Sequence, residues 1–176
     1  VMGRFGNQQL INGESEFELN LKQNEVTRLY LTNAASARSF KFEIPGASIK
    51  LVGGDNGFYE EESLVDHVTI APSERYVVDV LFEKPGDYSL LNNTPQNTYE
   101  LGVIRVADSA DITSAASSFS TLKKNQEVTE SINEMTAEAE AGVTTKRLAT
   151  KVDMNPLFMQ SMADEMAAVE EREAKE

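Results

Sequence analysis

Between Thr27 and Asn92 the chain alternates apolar and polar residues in short runs, and turn residues part the runs at even intervals. Arg28-Leu-Tyr-Leu-Thr-Asn33 alternates. So does Ser39-Phe-Lys-Phe-Glu-Ile44, with Phe40, Phe42 and Ile44 on one face. Ile49-Lys-Leu-Val52 is a short apolar run, and Asp55-Asn-Gly57 reads as a turn. Leu64 to Ala71 and Tyr76 to Glu83 read as strands, separated by a turn at Pro72-Ser73-Glu74. Lys84-Pro-Gly-Asp87 is a further turn, and a short strand follows to Asn92. A period of two puts successive side chains on opposite faces, so each strand shows one face to a core and one to water. Many short strands with frequent turns predict an antiparallel sandwich rather than a helical or alternating α/β fold.

The flanks extend the pattern. Gly3, Gly6 and Gly13 interrupt the opening segment, Gln9-Leu-Ile11 is expected as a short strand, and Asn12-Gly13 is a strong hairpin signal. Phe17, Leu19 and Leu21 alternate inward, and Tyr99 to Ala107 reads as the last strand. That predicts roughly eight to ten strands before residue 108, enough for a Greek-key sandwich. Residues 108–143 then read as linker, rich in Ser and Ala and later in Glu, with a short helix expected over Val128 to Ala141. Residues 144–176 read either as the start of a following domain or as a docking strand and amphipathic helix. Thr144 to Met154 is strand-like, and Pro156 opens a helical stretch to about Ala174. On it Phe158, Met162, Met166 and Val169 form one stripe.

Composition narrows the chemistry. The 176 residues are 40% hydrophobic, sufficient for one core with an appendage. The net charge of −13 argues against nucleic acid, whose phosphates need a basic face. No apolar run reaches the roughly 18 residues of a membrane span, and no signal peptide is visible. The abrupt start at Val1-Met2-Gly3-Arg4 leads us to expect a fragment of a longer protein. The chain has no cysteine, which excludes disulfides and thiolate metal sites, including a blue-copper centre, which needs one Cys with two His.

Candidate residues are few. His67 is the single histidine, so Ser-His-Asp and Cys-His nucleophilic arrangements are absent, and one imidazole makes no metal site. Glu60-Glu-Glu62, with Asp55 near, offers carboxylates to a hard cation, but without the spacing of a calcium loop; a solvated acidic loop is the better reading. Glu74 and Arg75 read as a pair or as partners of strand-end backbone groups. Arg28 and Arg38 read as strand-flanking residues that bridge loops or face a neighbour. No catalytic or cofactor-binding residue is assigned.

Five pieces, in order, resemble one family: Ile11-Asn12-Gly13; Arg28 to Ala34; Arg38; Gly53 to Gly57; and Pro72 to Tyr76. The pattern is similar to that of the middle cupredoxin-like domain of three-domain multicopper oxidases, the laccase, spore-coat and copper-efflux oxidases. It covers about the first two thirds of the chain, and Arg28, Asn33, Arg38, Asp55, Gly57, Pro72, Glu74 and Arg75 carry it. The resemblance implies an all-β, Greek-key cupredoxin-like sandwich with a C-terminal linker and short helical appendage. It implies a parent enzyme that takes single electrons from a substrate and reduces dioxygen to water. Copper would sit in the parent's other domains, with no cofactor in this stretch and the flanking cupredoxin domains as partners. It also implies an extracytoplasmic or cell-surface location. Some relatives carry Met-rich segments, and thioethers bind Cu(I), so Met159, Met162 and Met166 are metal candidates. An apolar stripe on a docking helix is the plainer account of them. Two alternatives stay open: a stand-alone binding sandwich, and a copper-less cell-division protein of this resemblance.

Overall fold

The computed structural model describes residues 6–55, 57–111 and 113–142. Among them are nine strands and two helices. The strands are β1 (Phe17–Lys22), β2 (Val26–Thr32), β3 (Phe40–Glu43), β4 (Ser48–Gly54), β5 (Gly57–Val65), β6 (His67–Ile70), β7 (Arg75–Leu81), β8 (Gly86–Asn93) and β9 (Thr98–Ala107). The helices are α1 (Ser114–Ser117) and α2 (Gln126–Glu140). The expected strand at Thr144 to Met154 and the helix bearing Met159, Met162 and Met166 lie outside the described residues.

The strands form two sheets, β1-β9-β8-β3-β6 and β2-β7-β4-β5. All neighbours are antiparallel except β1 and β9, which run parallel with Phe17 beside Gly102. Gly102 is required there, because an added Cβ would clash with the Phe17 carbonyl oxygen.

The predicted alternation fills the core. Phe42 and Ile44 from the β3 region, Val68 and Ile70 from β6, and Val78 and Val80 from β7 meet Leu90, Ile104 and Val106. Phe82, fully buried, packs edge-on against Tyr88 at 4.7 Å between ring centroids. Removing such alternate apolar rows from water is the main force holding two sheets together.

Several local expectations change. Gln9 and Leu10 are not in a strand; Ile11 makes a single bridge to Glu14 around the positive-φ pair Asn12 and Gly13. The amide of Gln9 instead accepts from the fully buried Asn92, whose own Oδ1 accepts from Lys41 N. The acidic run Glu60–Glu62 lies within β5 rather than in a loop. The strand expected from Leu64 to Ala71 divides at Asp66 into the end of β5 and β6, which belong to different sheets. Part of the stretch read as linker is ordered: Thr113 caps α1, Phe119 is buried, and α2 begins two residues before the expected helix and ends one residue before it.

By its contacts the chain divides into two units, and both sheets lie in the larger, Arg4–Met135.

Candidate functional site

The residues that stand out chemically lie on the outer face of the four-stranded sheet and at one end of the sandwich. On the outer face, Arg28 of β2, Asp79 of β7 and Lys50 of β4 are direct cross-strand neighbours. Arg28 makes a forked contact to Asp79, Nε to Oδ1 at 2.7 Å and a terminal nitrogen to Oδ2 at 2.9 Å. That hydrogen bond and the adjoining charge hold the guanidinium above its ordinary value, against the opposing effect of burial. Lys50 Nζ lies 3.2 Å from Glu62 Oε2 of β5, and both side chains are buried. The Phe119 ring covers the ammonium at 5.0 Å from its centroid. Glu62 Oε2 also accepts from Lys123 N at 3.0 Å. Burying charges is tolerable only when they are paired and hydrogen-bonded, and this row meets that condition. Arg28 is therefore a mid-strand ion-pair residue, not a strand-flanking one.

At the end of the sandwich the remaining motif residues converge. Asn33, almost fully buried, donates from Nδ2 to the carbonyls of Arg38 and Ile70 and accepts from Ala35 N. Its backbone exchanges hydrogen bonds with the Pro72–Arg75 turn, Asn33 N to Glu74 O and Ser73 N to Asn33 O. Ser73 takes a positive φ there, and Glu74 closes the turn by accepting from Ala71 N at 2.7 Å. Glu74 thus bonds strand-end backbone and does not pair with Arg75. Arg75 turns to Asp55 instead: Asp55 Oδ1 accepts from Arg75 N at 2.8 Å and lies 3.2 Å from Nε. Arg38 donates to the Gly6 carbonyl and lies 5.9 Å from the Tyr99 ring centroid. Gly57, at φ 120°, reverses the chain into β5. Nearby Tyr59 and Tyr76 are pushed above the usual phenol range, first by burial and then by surrounding negative groups. The side chains of Asn33, Asp55 and Glu74 are engaged in fixing backbone. The cluster organises loops; it presents no nucleophile and base in mutual reach.

Copper can be tested against the donors present. A blue-copper centre needs a Cys with two His. The sequence holds no cysteine and one histidine. His67 is exposed at the start of β6, opposite Glu43. Among the described residues no group of three or more His, Cys, Asp or Glu side chains is placed to hold a metal ion. The acidic run is likewise dispersed, with Glu62 on Lys50 and Glu61 on Lys124 at 3.5 Å. The described residues do not fit a mononuclear copper centre. A groove of about 590 Å3 beside β5 is lined by Leu51, Tyr59, Glu60 and Thr129 among others.

Sequence reading passed over Lys50, Asp79 and Phe119. A signal was there for the first two: each is a lone charge inside an apolar run, Ile49-Lys-Leu-Val52 and Val77-Val-Asp-Val-Leu-Phe82. A charge in such a place requires a partner.

Residues 3–109 match the sequence profile of the family described as Multicopper oxidase. The fold is similar to that of a laccase-like multicopper oxidase, CueO, from Ochrobactrum sp., at 27% identity and TM-score 0.56, over 62% of this chain and 26% of that one. It is also similar to a multicopper oxidase from Campylobacter jejuni described as a metallo-oxidase, at 28% identity and TM-score 0.54, over 62% and 25%. McoA from Aquifex aeolicus shares the fold at 21% identity and TM-score 0.56, over 62% and 27%. No curated protein matches the chain. The matched region thus spans about a quarter of the length of these oxidases.

Proposed function

Because this chain belongs to the multicopper oxidase family, we propose that it is the copper-free middle domain of a three-domain oxidase. In this reading it is a spacer and interface. It holds the flanking cupredoxin domains in register and walls part of the substrate cleft. The parent enzyme takes single electrons from its substrate at a mononuclear copper and passes them to a trinuclear cluster, where dioxygen is reduced to water. The parent works in an extracytoplasmic or cell-surface setting. Its copper ligands lie in the domains this chain would join.

The observation that carries the proposal is the pairing of family membership with a donor set that lacks cysteine and has one histidine in 176 residues. A structural role also agrees with how the motif is used. Asn33, Asp55, Glu74 and Arg75 fix loops at one end of the sandwich, and such rigid loops suit a domain that must hold neighbours at fixed distances. The domain boundaries follow the same reading: a sandwich to residue 107, a connecting segment to 143, and the following domain beyond.

The test is copper content and phenol-oxidase activity of the longest expressible gene product beside this chain. The proposal expects about four copper ions and activity in the long form, and neither in this chain. A copper-free, inert long form would refute it in favour of a copper-less relative. Cu(I) held by this chain and lost when Met159, Met162 and Met166 are changed to Leu would refute the copper-free assignment.

A further inference from the structure

β5 is an edge strand of the four-stranded sheet, paired on one side with β4. Edge strands expose unpaired backbone groups and invite other strands. Here residues 119–125 run along that edge. Glu62 N donates to Lys123 O at 3.0 Å and Asn125 N donates to Glu60 O at 2.8 Å. Glu61 and Lys124 face one another as an antiparallel bridge, with their charged ends 3.5 Å apart. Lys123 N reaches the Glu62 carboxylate at 3.0 Å, and Phe119 is buried over Lys50.

The charges have a direction. β5 presents three consecutive glutamates, Glu60 to Glu62, and the segment lying on it presents Lys123-Lys124. Opposite charges across a ladder stabilise it, and like charges oppose it. A second β5 laid antiparallel on this edge would set glutamate against glutamate. A short basic strand anchored by an aromatic ring is what the edge fits.

We propose that residues 119–125 are a clasp that occupies the strand-accepting edge of β5. Charge matching between Lys123-Lys124 and Glu60–Glu62 selects this segment over a second copy of the chain. The clasp opens independently of the sandwich, and when it is shut the edge is closed to other strands. This is independent of the oxidase reading and stands or falls on its own measurements.

The test uses amide hydrogen exchange on the whole chain. The hydrogen-bond pattern makes Glu61 and Lys124 a non-bonded cross-strand pair, whose Cα atoms lie about 4.5 Å apart, within disulfide range. Because the chain has no cysteine, Glu61→Cys with Lys124→Cys can form only that bridge within one molecule. Oxidation is expected to slow exchange at Glu62 and Asn125 relative to the reduced form. Lys123→Glu with Lys124→Glu is expected to speed it about tenfold, while β8 and β9 amides stay protected. Combining Glu60→Gln and Glu61→Gln with Asn125→Pro, which cannot donate to Glu60 O, opens the edge and removes the repulsion between two copies of β5, and the protein should then self-associate in sedimentation. Unchanged exchange at Glu62 and Asn125 on charge reversal would overturn the clasp. So would equal acceleration in β8 and β9, because the segment would then open only with the whole fold. A neutralised variant that stays monomeric would overturn the shielding role.

Discussion

Replacing Lys50 by methionine keeps most of the side chain's length and apolar stem and removes its charge. In the wild type, Lys50 Nζ and Glu62 Oε2 are 3.2 Å apart, and the two side chains are only 7% and 9% exposed. Glu62 would be left as a buried carboxylate without its cation. Breaking a buried pair in this way costs about 3–5 kcal/mol. Glu62 keeps one partner, the Lys123 N–H at 3.0 Å, so the expected loss is at the lower end, about 3 kcal/mol. For a chain of this size that lowers Tm by about 6–12 °C. The control is the double variant Lys50→Met with Glu62→Leu. It buries no charge, leaves the Lys123 N–H unpaired, and should lose only about 1 kcal/mol. Since the chain has no tryptophan, urea unfolding is best followed by far-UV circular dichroism, with Tm measured alongside. The reasoning fails if Lys50→Met lies within about 0.5 kcal/mol of wild type. It fails equally if the double variant loses as much as the two single variants added together, because the pair would then carry no coupling.

Asn33→Ala removes two donated and one accepted hydrogen bond in a buried site. It should cost about 3 kcal/mol in the same urea assay, and a loss below about 1 kcal/mol would contradict the role given to this residue. Gly102→Ala sets a methyl against the Phe17 carbonyl. It should cost about 3 kcal/mol and loosen β1 first, seen as faster amide exchange along Phe17–Lys22 than along β7. Tyr59 and Tyr76 are raised in the folded state. Their contribution is complete below the unfolded phenol value near 10 and is lost as pH rises from there through the folded values. Tyr59→Phe with Tyr76→Phe should therefore flatten the fall in stability above about pH 10, and an unchanged alkaline slope would refute the assignment.

Much of the architecture was readable because the physics that builds it is local. The inward rows Phe40-Phe42-Ile44 and Phe17-Leu19-Leu21 follow from a period of two, and the Pro72–Glu74 turn follows from its residue types. Asn12-Gly13 turned as expected, but Gln9 did not extend a strand; its side-chain oxygen accepts from Asn92, far along the chain. The acidic run misled for the same kind of reason. Three glutamates in a row suggest water, and only the ion pair with Lys50 from a neighbouring strand makes burial of Glu62 tolerable. The Arg28–Asp79 fork and the covering of Lys50 by Phe119 likewise join residues whose closeness is set by sheet order, which alternation does not encode. The family resemblance singled out Arg28, Asn33, Asp55, Glu74 and Arg75 as a group. Their partners emerged only in three dimensions.

The parallel pairing of β1 with β9 has a consequence for how the protein is made. Phe17 has no partner in its own sheet until Gly102 exists. On a ribosome adding about 5–20 residues per second, β1 must wait for seconds with its apolar row uncovered. The β4–β5 hairpin can form in that interval, since its contacts are short-range. Among the described strands the last to be synthesised is thus the one that pairs with the first, and a nascent chain stalled before residue 102 would carry an unpaired β1 as a ready handle for chaperones.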